Sequence, residues 1–289
     1  MTRFLTKASL FAVTFIAAFL LLLKAIEISR SRIIRVPSDV HLAFFGNSQI
    51  ESSVNDTIVL HSFNWARSGE LPEFIYAKVK LLTQYNPQID TIVIGFDNVL
   101  GFHADDEEFS YQLWHPFLYD MMDFSDWMTL VRQSPYDRWR NFFLYPLSWS
   151  KLRDLTRLSH PELTLRECRD LGGYKFLTRD KLAEHLARRK DKRHGRWHCS
   201  RNALYFLDRT IEYCRARHIQ VLFLCAPQHP QILHDLQSYK EEHQDHYSDI
   251  PFYDLVNYEL ADSCFSDLNH LNYRGARIFS EYLNQQLNP

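Results

Sequence analysis

Three side chains near the two ends of the domain have the types and spacing of a serine nucleophile with its base. Ser48 follows a short apolar run at residues 41–45 (HLAFF), which predicts a buried strand that stops at Gly46. A serine there stands at the carboxyl end of a strand, but its hydroxyl needs a base to become nucleophilic. His270 is the candidate base, and Asp267, three residues earlier in SDLNHLNYRGA, would bond the second ring nitrogen. These residues predict nucleophilic catalysis by Ser48.

The elements between these residues alternate between strands and helices. Apolar runs predict strands at residues 41–45, 58–65, 91–96 and 220–225. Helical spacing predicts a helix from Pro72 to about residue 86, one after Ser200 as N-cap, and a C-terminal one after Asn272 as N-cap. This alternation predicts the α/β class, with a mostly parallel sheet between two layers of helices and ligands at the carboxyl ends of the strands.

The N-terminus carries a long apolar segment. Residues 8–23 are uncharged and lie between Lys7 and Lys24, and snorkelling of the two lysines extends the stretch to residues 4–26. An uncleaved signal-anchor is favoured over a secretory signal peptide, because residues 29–31 form a poor cleavage site. We therefore expect a single transmembrane helix.

The expected domain organisation has two parts. Residues 1–35 form the membrane anchor and linker, and residues 36–289 form the α/β domain with an insertion at about 99–199. The insertion is rich in aromatic residues and turns basic at residues 188–196. One interpretation is a helical subdomain with its own core and a solvated basic face. The other is a lid that offers aromatic platforms to a glycan or lies against a membrane partner.

Composition excludes several functional classes. The chain has 8 glycines, no two of them separated by a single residue, so neither a dinucleotide fingerprint nor a Walker A loop can be written. The net charge of −2 provides no basic field for a nucleic acid. We expect no cofactor.

Metal and disulfide signals are weak. The five cysteines, which are Cys168, Cys199, Cys214, Cys225 and Cys264, have no C-x-x-C spacing, and one disulfide stays open as an alternative. His194, His198 and Cys199 lack a second cluster to complete four zinc ligands, so no metal is predicted. The acidic residues 105–108 are interpreted as a solvated loop, with paired carboxylates for glycoside hydrolysis as the alternative.

The combination of G-N-S at residues 46–48 with D-x-x-H at 267–270 resembles the SGNH (GDSL-like) hydrolase superfamily. The D-x-x-H-L-N-x-x-G sequence before the last helix is similar to membrane-anchored members that modify envelope polymers. These include the D-alanyl transfer protein of teichoic-acid modification and the alginate acetylation proteins. The resemblance covers residues 38–98 and 200–287.

This resemblance implies an SGNH-like, flavodoxin-like fold and a serine acyltransferase or esterase with Ser48, His270 and Asp267 as its triad. The family's second block looks like Gly69 in NWARSGE, whose amide would join that of Ser48 in an oxyanion hole. The third block departs from the family, since residues 95–98 read G-F-D-N where the family has G-x-N-D. An ionised Asp97 donates no hydrogen bond, which leaves Asn98 as the side-chain donor.

The resemblance also implies a location and partners. Its relatives work outside the cytoplasm, whereas the basic residues lean the other way, with Arg3 and Lys7 before the segment and four after it. We expect the extracytoplasmic side, an envelope polysaccharide or acyl donor as substrate, and a multi-span membrane-bound O-acyltransferase as partner. The alternative, favoured by the imperfect third block, is a non-catalytic SGNH-fold envelope assembly or glycan-binding protein. Transfer and hydrolysis share one acyl-enzyme, so the sequence does not separate them.

Overall fold

The structure is a computed structural model that describes residues 2–97, 121–133, 173–178, 180–188, 201–232 and 238–288. The strands in these ranges are β1 (Leu42–Phe45), β2 (Ser62–Asn64), β3 (Thr91–Gly95), β4 (Gln220–Cys225) and β5 (Phe252–Asp254). The α-helices are α1 (Thr2–Ile33), α2 (Ser48–Ser53), α3 (Pro72–Tyr85), α4 (Phe124–Gln133), α5 (Leu182–Arg188), α6 (Arg201–Arg215), α7 (Ser238–His246) and α8 (Tyr273–Leu287). A 3-10 turn at Asp262–Cys264 precedes α8.

All five strands run parallel, in the order β2-β1-β3-β4-β5. The predicted α/β class is therefore confirmed, and the carboxyl ends of the strands lie at one edge of the sheet. The chain moves outward from β1 to β2 on one side and from β3 to β5 on the other. This order places the topological switch point between β1 and β3, where ligands bind in open α/β sheets.

The strand side chains point alternately into two hydrophobic layers. On one face, Ala43 and Phe45 pack with apolar side chains of α3 and α6. On the other face, Leu42 and Phe44 pack with those of α2 and α8. Burial of each phenylalanine contributes roughly 1.5–3 kcal/mol. Because both faces are covered by helices, the strands are apolar throughout and do not alternate with polar residues.

β2 is shorter than the sequence predicts. The apolar run predicts a strand over residues 58–65, but β2 begins only at Ser62. The amides of Ile58 and Val59 donate to the carbonyl of Asn55 at 2.9 and 3.1 Å, so a turn takes up the first part of the run. Val59 is buried from this turn and joins the core beside α2 and α8. The apolar residues before Ser62 therefore indicate burial and do not indicate an extended strand.

Outside the predicted insertion, two of the described α-helices and one strand have no counterpart in the sequence prediction. α2 and β5 have six and three residues, too few for a hydrophobic period to appear. α7 has the sequence SYKEEHQDH, which carries no apolar stripe.

Of the described parts of the predicted insertion, α4 packs on the hydrophobic layer that contains α3 and α6, and α5 packs on the opposite layer. Trp127 and Leu130 of α4, and Met122 two residues before it, belong to the same hydrophobic cluster as α3 and α6. Arg209 of α6 donates from Nε to Asp126 Oδ1 at 3.0 Å, and Asp126 is fully buried. The basic run after residue 188 and most of the aromatic residues lie outside the described residues, as do residues 105–108.

α1 carries a series of exposed apolar side chains, including Phe4, Phe11 and Leu21. Among the described residues, however, no helix combines the length and apolar character that a bilayer crossing requires. The predicted transmembrane anchor is therefore not confirmed. The segment after α1 is tied to the domain, because the Asn86 side chain donates to the carbonyl of Ile34 and accepts from the amide of Val36, both at 2.9 Å.

Candidate active site

Ser48, His270 and Asp267 form a continuous hydrogen-bonded series. His270 Nε2 lies 2.8 Å from Ser48 Oγ, and His270 Nδ1 lies 2.7 Å from Asp267 Oδ1. An ionised carboxylate accepts only, so Nδ1 carries the proton and Nε2 is left to accept from the serine hydroxyl. The structure thus brings together the three side chains that the sequence singled out, across 222 residues of chain between Ser48 and His270.

The β1–α2 turn presents Ser48 at the switch point. Gly46 has φ +150°, and a Cβ at this position would lie 2.8 Å from Cγ1 of Ile50. Gly46 therefore lets the chain leave β1 sharply while Ile50 packs over the turn. Asn47 then caps α2, because its Oδ1 accepts from the amide of Gln49 at 2.8 Å. Ser48 is the first residue of the helix and is partly exposed.

The loop before α8 orients His270. Asp267 Oδ1 accepts from the backbone amides of Asn269 and His270, both at 3.0 Å, in addition to the imidazole. The two backbone amides hold the Asp267 carboxylate in place, and the carboxylate in turn orients the imidazole ring. The start of α8 closes on this loop, since Gly275 lies so close to the carbonyl of Cys264 that a Cβ there would collide with it.

Asn47 and Asp97 connect the ends of β1 and β3. Asn47 Nδ2 lies 3.1 Å from both carboxylate oxygens of Asp97, and both residues are buried. Asp97 is therefore an acceptor that holds the turn carrying Ser48, consistent with the expectation that it is no oxyanion donor. Asn98, the side-chain oxyanion donor that remains once Asp97 is ruled out, lies outside the described residues.

Gly69 lies in the turn after β2, with φ +70°. Its neighbour Ser68 bonds Glu51 of α2 through both its hydroxyl and its amide, the amide at 2.9 Å from Oε2. This contact holds the turn against the helix that begins at Ser48. The role of the Gly69 amide as an oxyanion donor stays a prediction.

A buried ion pair between Glu70 and Lys78 adjoins the Gly69 turn. Lys78 of α3 contacts Glu70 and also donates to the carbonyl of Trp65 at 2.9 Å. Burial raises the pKa of Glu70 to about 7 and lowers the pKa of Lys78. The sequence spacing does not predict that Glu70 pairs with Lys78, because α3 also contains Lys80. Only the packing of α3 on the sheet selects Lys78.

The loop after β4 supplies two further polar residues that the sequence did not single out. Gln228 Nε2 donates to Gln49 Oε1, beside Ser48, at 3.0 Å. His229 donates its backbone amide to the carbonyl of Leu268, inside the D-x-x-H loop, at 3.1 Å. Both residues are buried. The β4 loop therefore joins the helix that begins at Ser48 to the loop that carries His270.

In the part of the chain that the structure describes, no group of three His, Cys, Asp or Glu residues could hold a metal ion. Cys214, Cys225 and Cys264 are buried free thiols. Burial raises the pKa of Cys214 to about 12 and that of Cys225 well above its usual value. The other residues weighed as metal ligands or disulfide partners, which are His194, His198, Cys168 and Cys199, lie outside the described residues.

Comparisons with known proteins give sparse matches. A protein-family model matches residues 180–289. The structure is similar to that of a candidate acylhydrolase from Bacteroides fragilis, with a TM-score of 0.37 and 12% sequence identity over 86% of each chain. No curated protein matches the chain. The function is therefore inferred from the geometry of the site itself.

Proposed function

We propose that the protein is a serine acyltransferase or esterase that works through an acyl-enzyme on Ser48. The observation that carries this proposal is the hydrogen-bonded series from Ser48 Oγ through His270 to Asp267, with distances of 2.8 and 2.7 Å. Its position at the switch point of a parallel sheet, where ligands bind, supports the same conclusion. The sequence resemblance to the SGNH hydrolases agrees with it.

In the proposed reaction, His270 moves one proton in each half. Ser48 Oγ attacks the carbonyl carbon of an ester while Nε2 takes the hydroxyl proton, and Nε2 then returns that proton to the departing alcohol. Water or a sugar hydroxyl next attacks the acyl carbon, gives its proton to Nε2, and releases Ser48, which recovers its proton. Asp267 keeps the Nδ1 proton in place and stabilises the imidazolium that forms in each half.

We propose that backbone amides stabilise the oxyanion. The candidates are the amides of Ser48 and Gly69, since Asp97 is occupied as an acceptor by Asn47. Support comes from the bonds between Ser68 and Glu51, which hold the Gly69 turn against α2. A hole built from amides alone lacks a side-chain donor, and one donor is worth about 10²–10³-fold in rate.

Covalent labelling tests the proposed chemistry. A fluorophosphonate probe is expected to label the full-length protein at Ser48, identified by mass spectrometry of the modified peptide. The Ser48→Ala variant is expected to stay unlabelled, whereas Ser53→Ala, a nearby serine on the same helix, should label normally. A wild-type protein that does not react would favour the non-catalytic alternative, an envelope assembly or glycan-binding protein. Product analysis with a sugar acceptor present then separates transfer from hydrolysis.

We further propose that α1 anchors the domain in a membrane, on its extracytoplasmic side, with an envelope polysaccharide or its acyl donor as substrate and a membrane-bound O-acyltransferase as partner. The exposed apolar side chains of α1 support membrane association. The side of the membrane and the partner rest on the sequence resemblance.

C-terminal reporter fusions test the location in a bacterial host. Alkaline phosphatase fused after residue 289 is expected to be active, and a green fluorescent protein fusion dark. Deletion of residues 2–26 should move the protein from the membrane fraction to the soluble fraction. The opposite reporter pattern would reverse the orientation, and an unchanged fractionation would contradict the anchor.

A further inference from the structure

Residues 173–178 form a strap on the surface of the domain. The amide of Lys175 donates to the carbonyl of Glu51 in α2 at 2.7 Å. Two residues later, the carbonyl of Leu177 accepts from the amide of Tyr273, the first residue of α8, at 2.9 Å. The strap is thus fixed by backbone hydrogen bonds at two points, on two different helices.

Both attachment points lie next to the reacting side chains. Glu51 is three residues after Ser48, so it lies about one turn further along α2. Tyr273 is three residues after His270, at the start of α8. The strap is therefore attached to the chain close to both Ser48 and His270.

The strap presents an aromatic pair to solvent. The ring of Phe176 stacks on that of Tyr273, with a centroid distance of 5.1 Å and an interplanar angle of 24°. Phe176 is 61% exposed and Tyr273 is 37% exposed. The rings of Tyr174 and Phe176 are nearly perpendicular, with a centroid distance of 6.4 Å. The result is a preorganised apolar ledge made of Phe176 and Tyr273.

Hydrogen-bond donors border this ledge on two sides. Lys175 Nζ lies 3.0 Å from Ser68 Oγ and 3.6 Å from Glu51 Oε2, at the end nearer to the Gly69 turn. At the other end, Arg274 is exposed and its Nε donates to the hydroxyl of Tyr273 at 3.1 Å. An acyl chain would make no use of these donors. A sugar ring places C–H groups against an aromatic face and hydroxyl groups at its edge, which matches this arrangement.

We propose that the ledge of Phe176 and Tyr273 is a subsite for a sugar ring of a polysaccharide, with Lys175 and Arg274 donating to the hydroxyl or carboxylate groups of that sugar. This subsite deepens the proposed function and rests on it, because the bound sugar is the one whose ester or hydroxyl group reacts at Ser48. The subsite selects the polysaccharide and leaves the proton transfers to His270.

The test measures binding separately from chemistry. Full-length Ser48→Ala protein is applied to an array of immobilised neutral, N-acetylated and uronic-acid oligosaccharides, and is expected to bind at least one class. Adding Phe176→Ala should weaken that binding about tenfold, which corresponds to about 1.4 kcal/mol, because the ring against which the sugar packs is removed. Adding Phe176→Trp, which keeps an aromatic face, should retain binding.

Phe124→Ala is the matched control, because Phe124 is an exposed phenylalanine on α4, which packs with α3 and α6 on the other face of the sheet. It should leave binding unchanged. Absence of binding to every sugar, or equal losses in Phe176→Ala and Phe124→Ala, would overturn the subsite.

Catalytic readouts distinguish failure of the subsite from failure of the proposed function. With Ser48 intact, the wild-type protein and the Phe124→Ala control should react with a fluorophosphonate at the same rate. If Ser48 labels and Phe176→Ala binds sugars normally, the subsite alone is wrong. If Ser48 does not label but sugar binding still depends on Phe176, the subsite stands and the acyl-enzyme is wrong. If Phe176→Ala changed the ratio of the hydrolysis rates of p-nitrophenyl acetate and p-nitrophenyl octanoate, the ledge would bind the acyl chain, and the proposed sugar subsite would be refuted.

Discussion

Replacing His270 with alanine is expected to lower kcat/KM for p-nitrophenyl acetate by about 10⁴-fold or more. The hydroxyl of Ser48 lies 2.8 Å from Nε2 of His270, and without that nitrogen no described side chain is positioned to take its proton. The loss should appear in kcat, since the imidazole acts on the reacting hydroxyl rather than on the binding of the ester. Stopped-flow or steady-state hydrolysis of the chromogenic ester provides the measurement.

Variants around His270 sharpen this result. The Ser48→Ala/His270→Ala double variant should be no slower than either single variant, because the two groups act as one unit. Asp267→Asn keeps the shape of the loop but changes the tautomer of the ring, and is expected to cost about 10⁴-fold. His246→Ala removes another histidine paired with a carboxylate, Glu242 on α7, and should leave the rate unchanged. A His270→Ala protein within tenfold of wild type would exclude His270 as the base.

Exchanging the amide of Asn47 for a carboxylate is expected to destabilise the fold by roughly 3–5 kcal/mol. Asn47→Asp removes both hydrogen bonds to Asp97 and places a second carboxylate against it in a buried site. The cap of α2 survives, because an aspartate oxygen still accepts from the Gln49 amide. Urea denaturation followed by tryptophan fluorescence measures the loss.

The complementary exchange at Asp97 tests the pair itself. In the Asn47→Asp/Asp97→Asn double variant, the new amide at 97 donates to the new carboxylate at 47, so at least half of the stability lost in Asn47→Asp should return. A double-mutant cycle gives the coupling energy. Asn55→Asp is the control, since Asn55 Oδ1 only accepts, from the amide and hydroxyl of Thr57. Additive effects of the two exchanges would refute a direct pair.

The pH dependence of Asn47→Asp follows from the same geometry. Two carboxylates in contact raise the pKa of one of them in the folded state above its unfolded value. Such a group contributes stability that is present at low pH and is lost as the pH rises through the folded pKa. The deficit of Asn47→Asp relative to wild type should therefore be smaller at pH 5 than at pH 8. An equal deficit at both pH values would place the damage elsewhere.

The sequence allowed the residues of the site to be chosen before their distances were known. Ser48 follows a strand and a glycine, and Asp267 and His270 lie in one short loop before a capped helix, so local rules recognise each of them. The sequence also indicated that Asp97 is no donor. It did not reveal that Asn47 is the partner of Asp97, because the two residues are 50 positions apart in the chain.

The elements that went unrecognised have local causes. α2 and β5 are too short to show a period, and α7 has no apolar stripe. The turn at Asn55 took the first half of the predicted second strand, because burial of Val59 requires an apolar side chain and not an extended backbone. Lys78 and Glu70 are unremarkable by spacing, and only their shared burial makes them a pair.

The sequence by itself determined the α/β class, the chemistry-bearing residues and the caps that place them, because each of these depends on residues close together along the chain. The tertiary structure alone decided which distant groups touch. Hydrogen bonds act over about 3 Å, so the contacts of Ser48 with His270 and of Asn47 with Asp97 depend on the strand order and on the helices packed against the sheet. The same packing brings residues 173–178, which belong to the predicted insertion, into contact with both α2 and α8.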